Sequence, residues 1–347
     1  MPTLEGKGTT KAFDRYSTSY LLLSFLSGFL ELGIIMYALR QGMPFVAIPL
    51  LGVAYQAGAL FRRPVELPPW HYVAATALGL ALGLVTHESI ILLVLTVLLL
   101  SIGIQGGREL TLKKAQVSTF AKRVSRIAGF ALSGFFDLRF LFAIAVVGLS
   151  TMLLLRKGLS GVAAPFLHRN WHPKILGVTM LVHQSHYFSY AYFIPFLFLN
   201  VHNVSAPLVG LIFCIGWVSY SIAPFAFAKQ PLARSFSFGH VLASLTLFTI
   251  FGFSESLWVI ILAWFFSGFG GGTVFCLREL ECKLISDKPD LDLWENLGHI
   301  LGLLVCFTVI GVWGQPPIVF LMAGIIAFLT AAILPLSRVY ATGTSWW

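Results

Sequence analysis

Apolar runs of about 20 residues follow one another along this chain with only short polar turns between them, and a helix of that length is what crosses a hydrocarbon layer. Such runs can be marked at Ser17–Leu39, Met43–Phe61, His71–Val85, Glu88–Gly107, Ala121–Phe136, Leu138–Leu155, Lys174–Leu199, Ala206–Ala228, Phe236–Phe253, Ser256–Leu277, Trp294–Trp313 and Pro317–Leu336. Gly42, Pro68-Pro69, Thr86-His87-Glu88, Asp137 and Pro316-Pro317 supply the breaks. With 57% of 347 residues apolar and 11% charged, too little polar surface exists to clothe a water-soluble fold. The expected class is an all-α polytopic membrane protein with about 12 transmembrane helices at roughly 29 residues per unit. The opening residues, Met1 to Tyr16, carry Glu5, Lys7, Lys11, Asp14 and Arg15 and no apolar stretch, so the first span is expected to act as an uncleaved targeting signal.

The net charge of +9 could point to nucleic acid, but its placement points to a membrane. With loops numbered alternately from a cytoplasmic start, every Lys and Arg of the 23 except Arg40 and Arg139 falls on the inner side. Basic residues near short loops resist translocation, so both termini are expected in the cytoplasm of an inner membrane of bacterial type. The expected partners are membrane lipid and a small-molecule or ion substrate, with no nucleic acid, and the expected state is a monomer. Cys214, Cys276, Cys282 and Cys306 form no CxxC pair and read as packing residues. The acceptor-like triplet Asn203-Val204-Ser205 sits in too short a loop to count as a glycosylation site.

The two halves of the chain repeat. Ser101-Ile-Gly-Ile-Gln-Gly-Gly-Arg108-Glu109-Leu110 ends the fourth span, and Gly268-Phe-Gly-Gly-Gly-Thr-Val-Phe-Cys-Leu-Arg278-Glu279-Leu280 ends the tenth. Beyond them, Lys122-Arg-Val-Ser-Arg126-Ile-Ala-Gly129 lies over Glu295-Asn-Leu-Gly-His299-Ile-Leu-Gly302. Arg62-Arg63-Pro64 and Lys229-Gln230-Pro231 close the second spans of the two halves. The expected division is a cytoplasmic segment 1–16, a six-helix bundle 17–155, a linker 156–174, a second bundle 175–338 and a tail 339–347.

Six plus six spans in one orientation, joined by a cytoplasmic linker, resemble the major facilitator superfamily of secondary transporters. The resemblance implies two pseudo-symmetric bundles working by alternating access. It further implies that spans one, four, seven and ten line a central cavity, while two, five, eight and eleven seal the halves together. Its signature loop usually carries an acid, whereas Gly58-Ala-Leu-Phe-Arg62-Arg63 keeps only the glycine and the basic pair, so no subfamily is assigned.

Ionisable groups inside hydrocarbon are costly and therefore mark function. Ser24, Ser27 and Glu31 share one face of the first span. His183, His186, Tyr187 and Tyr190 form a stripe on the seventh, with Pro195 as a bend beyond it. A buried acid can exchange protons and imidazoles can bind protons, anions or metal, so Glu31, His183, His186, Tyr187, Tyr190, Ser27, Gln105 and Trp264 are the expected substrate and proton site. Arg62, Arg63, Arg108, Glu109, Arg278 and Glu279 are the expected cytoplasmic gate. Arg126 and His299, at equivalent repeat positions, suggest a symmetric contact between halves. The glycines of the fourth and tenth spans lack the strand and the Gly-Lys-Ser/Thr of a phosphate loop, which argues against ATP hydrolysis.

The expected activity is proton-coupled transport of an organic metabolite or drug-like solute, without a catalytic residue and with no cofactor beyond the proton gradient. One alternative is a divalent metal or metal chelate held by His183, His186 and Glu31. Another is an intramembrane metal-dependent enzyme, which the absence of HExxH and of an Asp-rich motif disfavours.

Overall fold

The computed structural model describes residues 15–60, 69–85, 89–112, 115–155, 174–284 and 291–336, and these residues are helical with short turns and no strand among them. We number the helices α1 (Arg15–Arg40), α2 (Ala47–Leu60), α3 (Pro69–Val85), α4 (Ile90–Leu112), α5 (Thr119–Leu132), α6 (Leu138–Leu155), α7 (Lys174–Tyr190), α8 (Ala206–Ala226), α9 (Leu232–Gly252), α10 (Leu257–Gly271), α11 (Leu291–Trp313) and α12 (Ile318–Leu336). Two of them continue past a tight turn: α7 through Ala191–Phe193 and Ile194–Phe196 to Leu197–Val201, and α10 through Gly272–Val274 into Phe275–Leu284.

These bounds follow the apolar runs closely, with departures that have local causes. At α4 the helix passes through Gly106 and Gly107 to Leu112, because Gly106 lies against the Tyr72 ring and close packing offsets the glycine's poor helix propensity. At α5 the start moves back to Thr119, capped by Ser118, whose Oγ accepts from the Ala121 amide at 3.1 Å. The bend expected at Pro195 is present as a tightened turn at Ala191–Phe193 followed by a widened one at Leu197–Val201. Proline offers no amide to the carbonyl four residues earlier, and the backbone around it takes up the defect.

Among the described residues six helices are long and apolar enough to cross a membrane: α1, α4, α8, α9, α10 with its continuation, and α11. Large apolar side chains such as Ile91, Phe225 and Trp258 point outward, as lipid requires and water would not tolerate. The chain is an integral membrane protein.

Packing in the two halves matches except at one place, since α1 lies on α4 whereas the backbone of α7 packs chiefly against the Phe275–Leu284 continuation of α10. In the first, α1 lies on α4, α5 and α6, α2 and α3 on α4, and α3 on α6. In the second, α7 lies on α11 and α12, α8 and α9 on α10, and α9 on α12. The main contacts between halves are α2 on α11 and α5 on α8, which are each other's counterparts. The crossing of α1 and α5 depends on Gly129, where an added Cβ would sit 2.2 Å from the Phe25 carbonyl oxygen. The crossing of α7 and α11 depends in the same way on Gly302, 2.2 Å from the Ser185 oxygen.

Candidate functional site

A cavity of about 200 Å³ opens between α1, α4, α5 and α8, toward the end of α1 where the chain begins. Its lining includes Arg108, Lys122, Arg123 and Arg126 together with Tyr20, Ser24, Trp217 and Tyr220. Four cations with no acid among the lining residues make a place for a negative charge. The Arg126 guanidinium stands 5.2 Å from the Trp217 ring centroid, and Lys122 stands 5.4 Å from that of Tyr20, so the walls combine charge with aromatic surface.

The lining also holds polar atoms that the protein leaves unsatisfied. Ser24 Oγ, Arg126 Nε and Trp217 Nε1 are buried without a hydrogen-bond partner among the described residues. Buried donors left open are costly, so three on residues that line one cavity suit a ligand with acceptor oxygens.

At the deep end, Arg126 Nη2 meets Glu31 Oε2 at 2.5 Å. The other Glu31 oxygen accepts from Tyr192 Oη at 2.8 Å and from Gln56 Nε2 at 3.4 Å. Gln56 donates to Tyr192 Oη at 3.0 Å and accepts from His299 Nδ1 at 3.1 Å. His299 approaches Glu295, which accepts from Gln184 and pairs with Arg278. A polar chain therefore runs from α5 through α1, α7 and α2 to α11 and α10, crossing from one half to the other.

The expected site residues are distributed over several places. Glu31 is buried with Arg126 and does not join the imidazoles. His183 and His186 face α9, where His240 completes a cluster of three buried histidines. Tyr190 Oη lies 2.5 Å from Ser267 Oγ on α10, and Tyr187 is wedged among Trp217, Trp264 and Tyr190. Ser27 Oγ is bonded to Tyr55 Oη at 2.6 Å and accepts from Arg108 at 3.4 Å. Among the described residues Gln105 reaches Ser101, and Trp264 donates to the Phe213 carbonyl at 3.0 Å with Gly216 beneath its ring. Neither residue is among those lining the cavity.

The gate residues likewise separate. Arg62 and Arg63 lie outside the described residues. Arg278 draws on Glu281 at 3.4 Å, Asp292 at 2.5 Å and Glu295, all in its own half. Glu279 is exposed, and Arg108 lies 3.6 Å from its neighbour Glu109. A hydrogen bond that joins the halves at this end is Arg123 Nη1 donating to the Ser221 carbonyl at 3.3 Å. Arg126 and His299 are not a symmetric pair across the halves: Arg126 holds Glu31 within its own half, while His299 reaches across to Gln56.

Sequence reasoning missed Gln56, Tyr192, Trp217, Tyr220 and His240. Gln56 and His240 are strongly polar groups in apolar spans and carried the same signal as Glu31. Trp217 and Tyr220 are aromatic residues one turn apart, which packing alone would explain equally well.

No family model matches the chain, and no curated protein does. Solved structures do match over nearly its whole length. A bacterial metal transporter superposes with a TM-score of 0.64 at 16% identity, over 95% of this chain and 100% of the other. The nucleoside transporter NupG gives 0.63 at 14% identity, covering 92% and 99%. A human organic anion transporter gives 0.57 at 15%, also covering 92% and 99%. Each is a transporter, and none is an enzyme.

Proposed function

We propose, for a chain that carries the major facilitator fold, that it is a secondary active transporter for a small organic anion with an apolar or aromatic body. Two six-helix bundles, 17–155 and 175–338, rock about the α2/α11 and α5/α8 contacts and expose the cavity to one side of the membrane at a time. Both termini and the basic loops face the cytoplasm of a bacterial inner membrane, and the unit is a monomer. The observation that carries the reading is the cavity itself, where Arg108, Lys122, Arg123 and Arg126 surround open donors on Ser24, Arg126 and Trp217. A bare divalent cation would be repelled there, and a neutral solute would leave the charges unanswered. One of the similar solved structures transports organic anions, which accords with this class.

Coupling follows from the pair at the deep end. Among the described residues Arg126 has Glu31 as its counter-ion, and an incoming anion competes with it. When Glu31 takes a proton, Arg126 loses that partner and the anion replaces it, so proton and anion occupy the site together. The product is proton–anion symport, neutral overall for a monovalent anion.

The test is a thermal-shift screen of purified protein with aromatic and aliphatic carboxylates, organic phosphates and their neutral amide isosteres, followed by uptake of the best ligand into proteoliposomes. Anions should raise the melting temperature and amides should not. The shift should vanish in Arg126→Ala, and uptake should follow an inward proton gradient. Equal stabilisation by anions and amides, or an undiminished shift in Arg126→Ala, would sink the assignment.

A further inference from the structure

The three histidines between α7 and α9 lie outside the cationic cavity and outside the polar chain that crosses the halves. We infer that His183, His186 and His240 bind one divalent transition metal ion of the zinc class inside the carboxy-terminal half.

The geometry converges on a point. One ring nitrogen from each histidine lies within 4.8 Å of the others. The ring centroids stand 5.4, 4.9 and 5.2 Å apart with interplanar angles of 70°, 68° and 63°, so the rings present edges to one another rather than stacked faces. A tetrahedral ion with metal–nitrogen bonds of about 2.0–2.1 Å holds its ligands roughly 3.4 Å apart. The widest separation must therefore shrink by at most about 1.4 Å and the 2.7 Å contact between His183 and His240 must open, movements on the scale of side-chain rotation.

Hydrogen bonds orient the ligands. His240 Nδ1 donates to the Phe236 carbonyl at 2.8 Å, which leaves the Nε2 lone pair aimed into the cluster. A backbone carbonyl on the far nitrogen is the usual support of a metal-binding imidazole. With that tautomer fixed, the 2.7 Å contact between His183 Nδ1 and His240 Nε2 has His183 as donor. That bond satisfies the pair, but it leaves His186, whose side chain is fully buried, with no well-formed hydrogen bond to a described residue on either ring nitrogen and only a loose approach to the His183 backbone. A buried imidazole so loosely held has no purpose in a helix pin, whereas a metal uses it directly. Three neutral imidazoles with no carboxylate in the group select zinc, cobalt, nickel or copper over magnesium and calcium, which need oxygen. Three protein ligands also leave a fourth position for water or a small anion.

The experiment is a titration of the purified, tag-free full chain, stripped of metal, with Co²⁺, whose visible absorption reports tetrahedral nitrogen coordination, followed by displacement with Zn²⁺. One equivalent should bind with intense tetrahedral bands that Zn²⁺ erases. Affinity should fall at least 10-fold in His186→Gln, a substitution that removes no well-formed internal hydrogen bond and should leave the fold intact, and further in His240→Gln. Failure of the unmodified protein to bind one equivalent, or binding unchanged in both histidine variants, would overturn the inference whatever the solute assays give.

Discussion

Arg126 stands one turn before the glycine crossing of α1 and α5, and His299 stands one turn before the matching crossing of α7 and α11. The backbones answer each other, yet the chemistry does not. Arg126 makes an ion pair with Glu31 and borders an open cationic cavity, while His299 stacks 3.9 Å from the Phe188 ring centroid and bonds to Gln56. The first half gathers cations around space, and the second gathers imidazoles within packing. A duplicated scaffold thus keeps its crossings, where only glycine fits, and lets the side chains around them diverge into unlike sites.

That contrast is broken most readily at the ion pair. Removing the cation in Arg126→Ala strands a buried carboxylate, and should cost about 3 kcal/mol, near the low end for breaking a buried pair because Arg126 keeps 29% of its side-chain surface. Chemical or thermal unfolding would measure it, and Glu31→Gln combined with Arg126→Gln should recover much of the loss. A single Arg126→Ala without cost would mean that Glu31 is already solvated. The crossings themselves should behave alike: Gly129→Ala and Gly302→Ala should each cost about 1–3 kcal/mol by overpacking against a carbonyl. If one is tolerated and the other is not, the repeat is looser than the packing indicates. His299→Ala, at the position equivalent to Arg126, should cost only about 1 kcal/mol, since it removes one neutral hydrogen bond and a ring contact. A loss as large as that of Arg126→Ala would erase the distinction between the halves.

Much of this architecture was legible in the chain because lipid is a severe solvent. Apolar length sets the spans, and the distribution of Lys and Arg sets the loops. The repeat was visible because Gly129 and Gly302 sit at identical offsets from Arg126 and His299, and a glycine that a helix crossing demands is hard to replace. The site was less legible. Glu31 and the His183/His186 stripe announce themselves as polar groups in apolar runs, but helical phase alone does not say which neighbour each face meets. His183 and His186 meet α9 and Glu31 meets α5, so residues that look like one site in sequence are two places in space. The cationic cavity was hidden for another reason: Lys122 and Arg123 read as ordinary inner-side charges, and Arg126 as half of a symmetric contact between the bundles.

The smallest expected effect falls at the joint between halves. Arg123 reaches from α5 to the Ser221 carbonyl on α8, one long charged side chain on one neutral oxygen. Such a contact is worth less than about 1 kcal/mol, so Arg123→Gln should leave the melting temperature almost unchanged. The same energy is still up to about a five-fold change in a two-state population. The substitution should therefore favour the state in which the Arg123 ends of α5 and α8 stand apart. Spin labels at the exposed positions Phe120 and Phe225 would read the change as a longer component in the distance distribution. The matching joint, α2 on α11, should not respond, because Gly52 packs there against Tyr192 and Leu303 without any charge. An unchanged distribution at the first joint would remove Arg123 from the gate and leave aromatic and glycine packing to hold both joints in the same way.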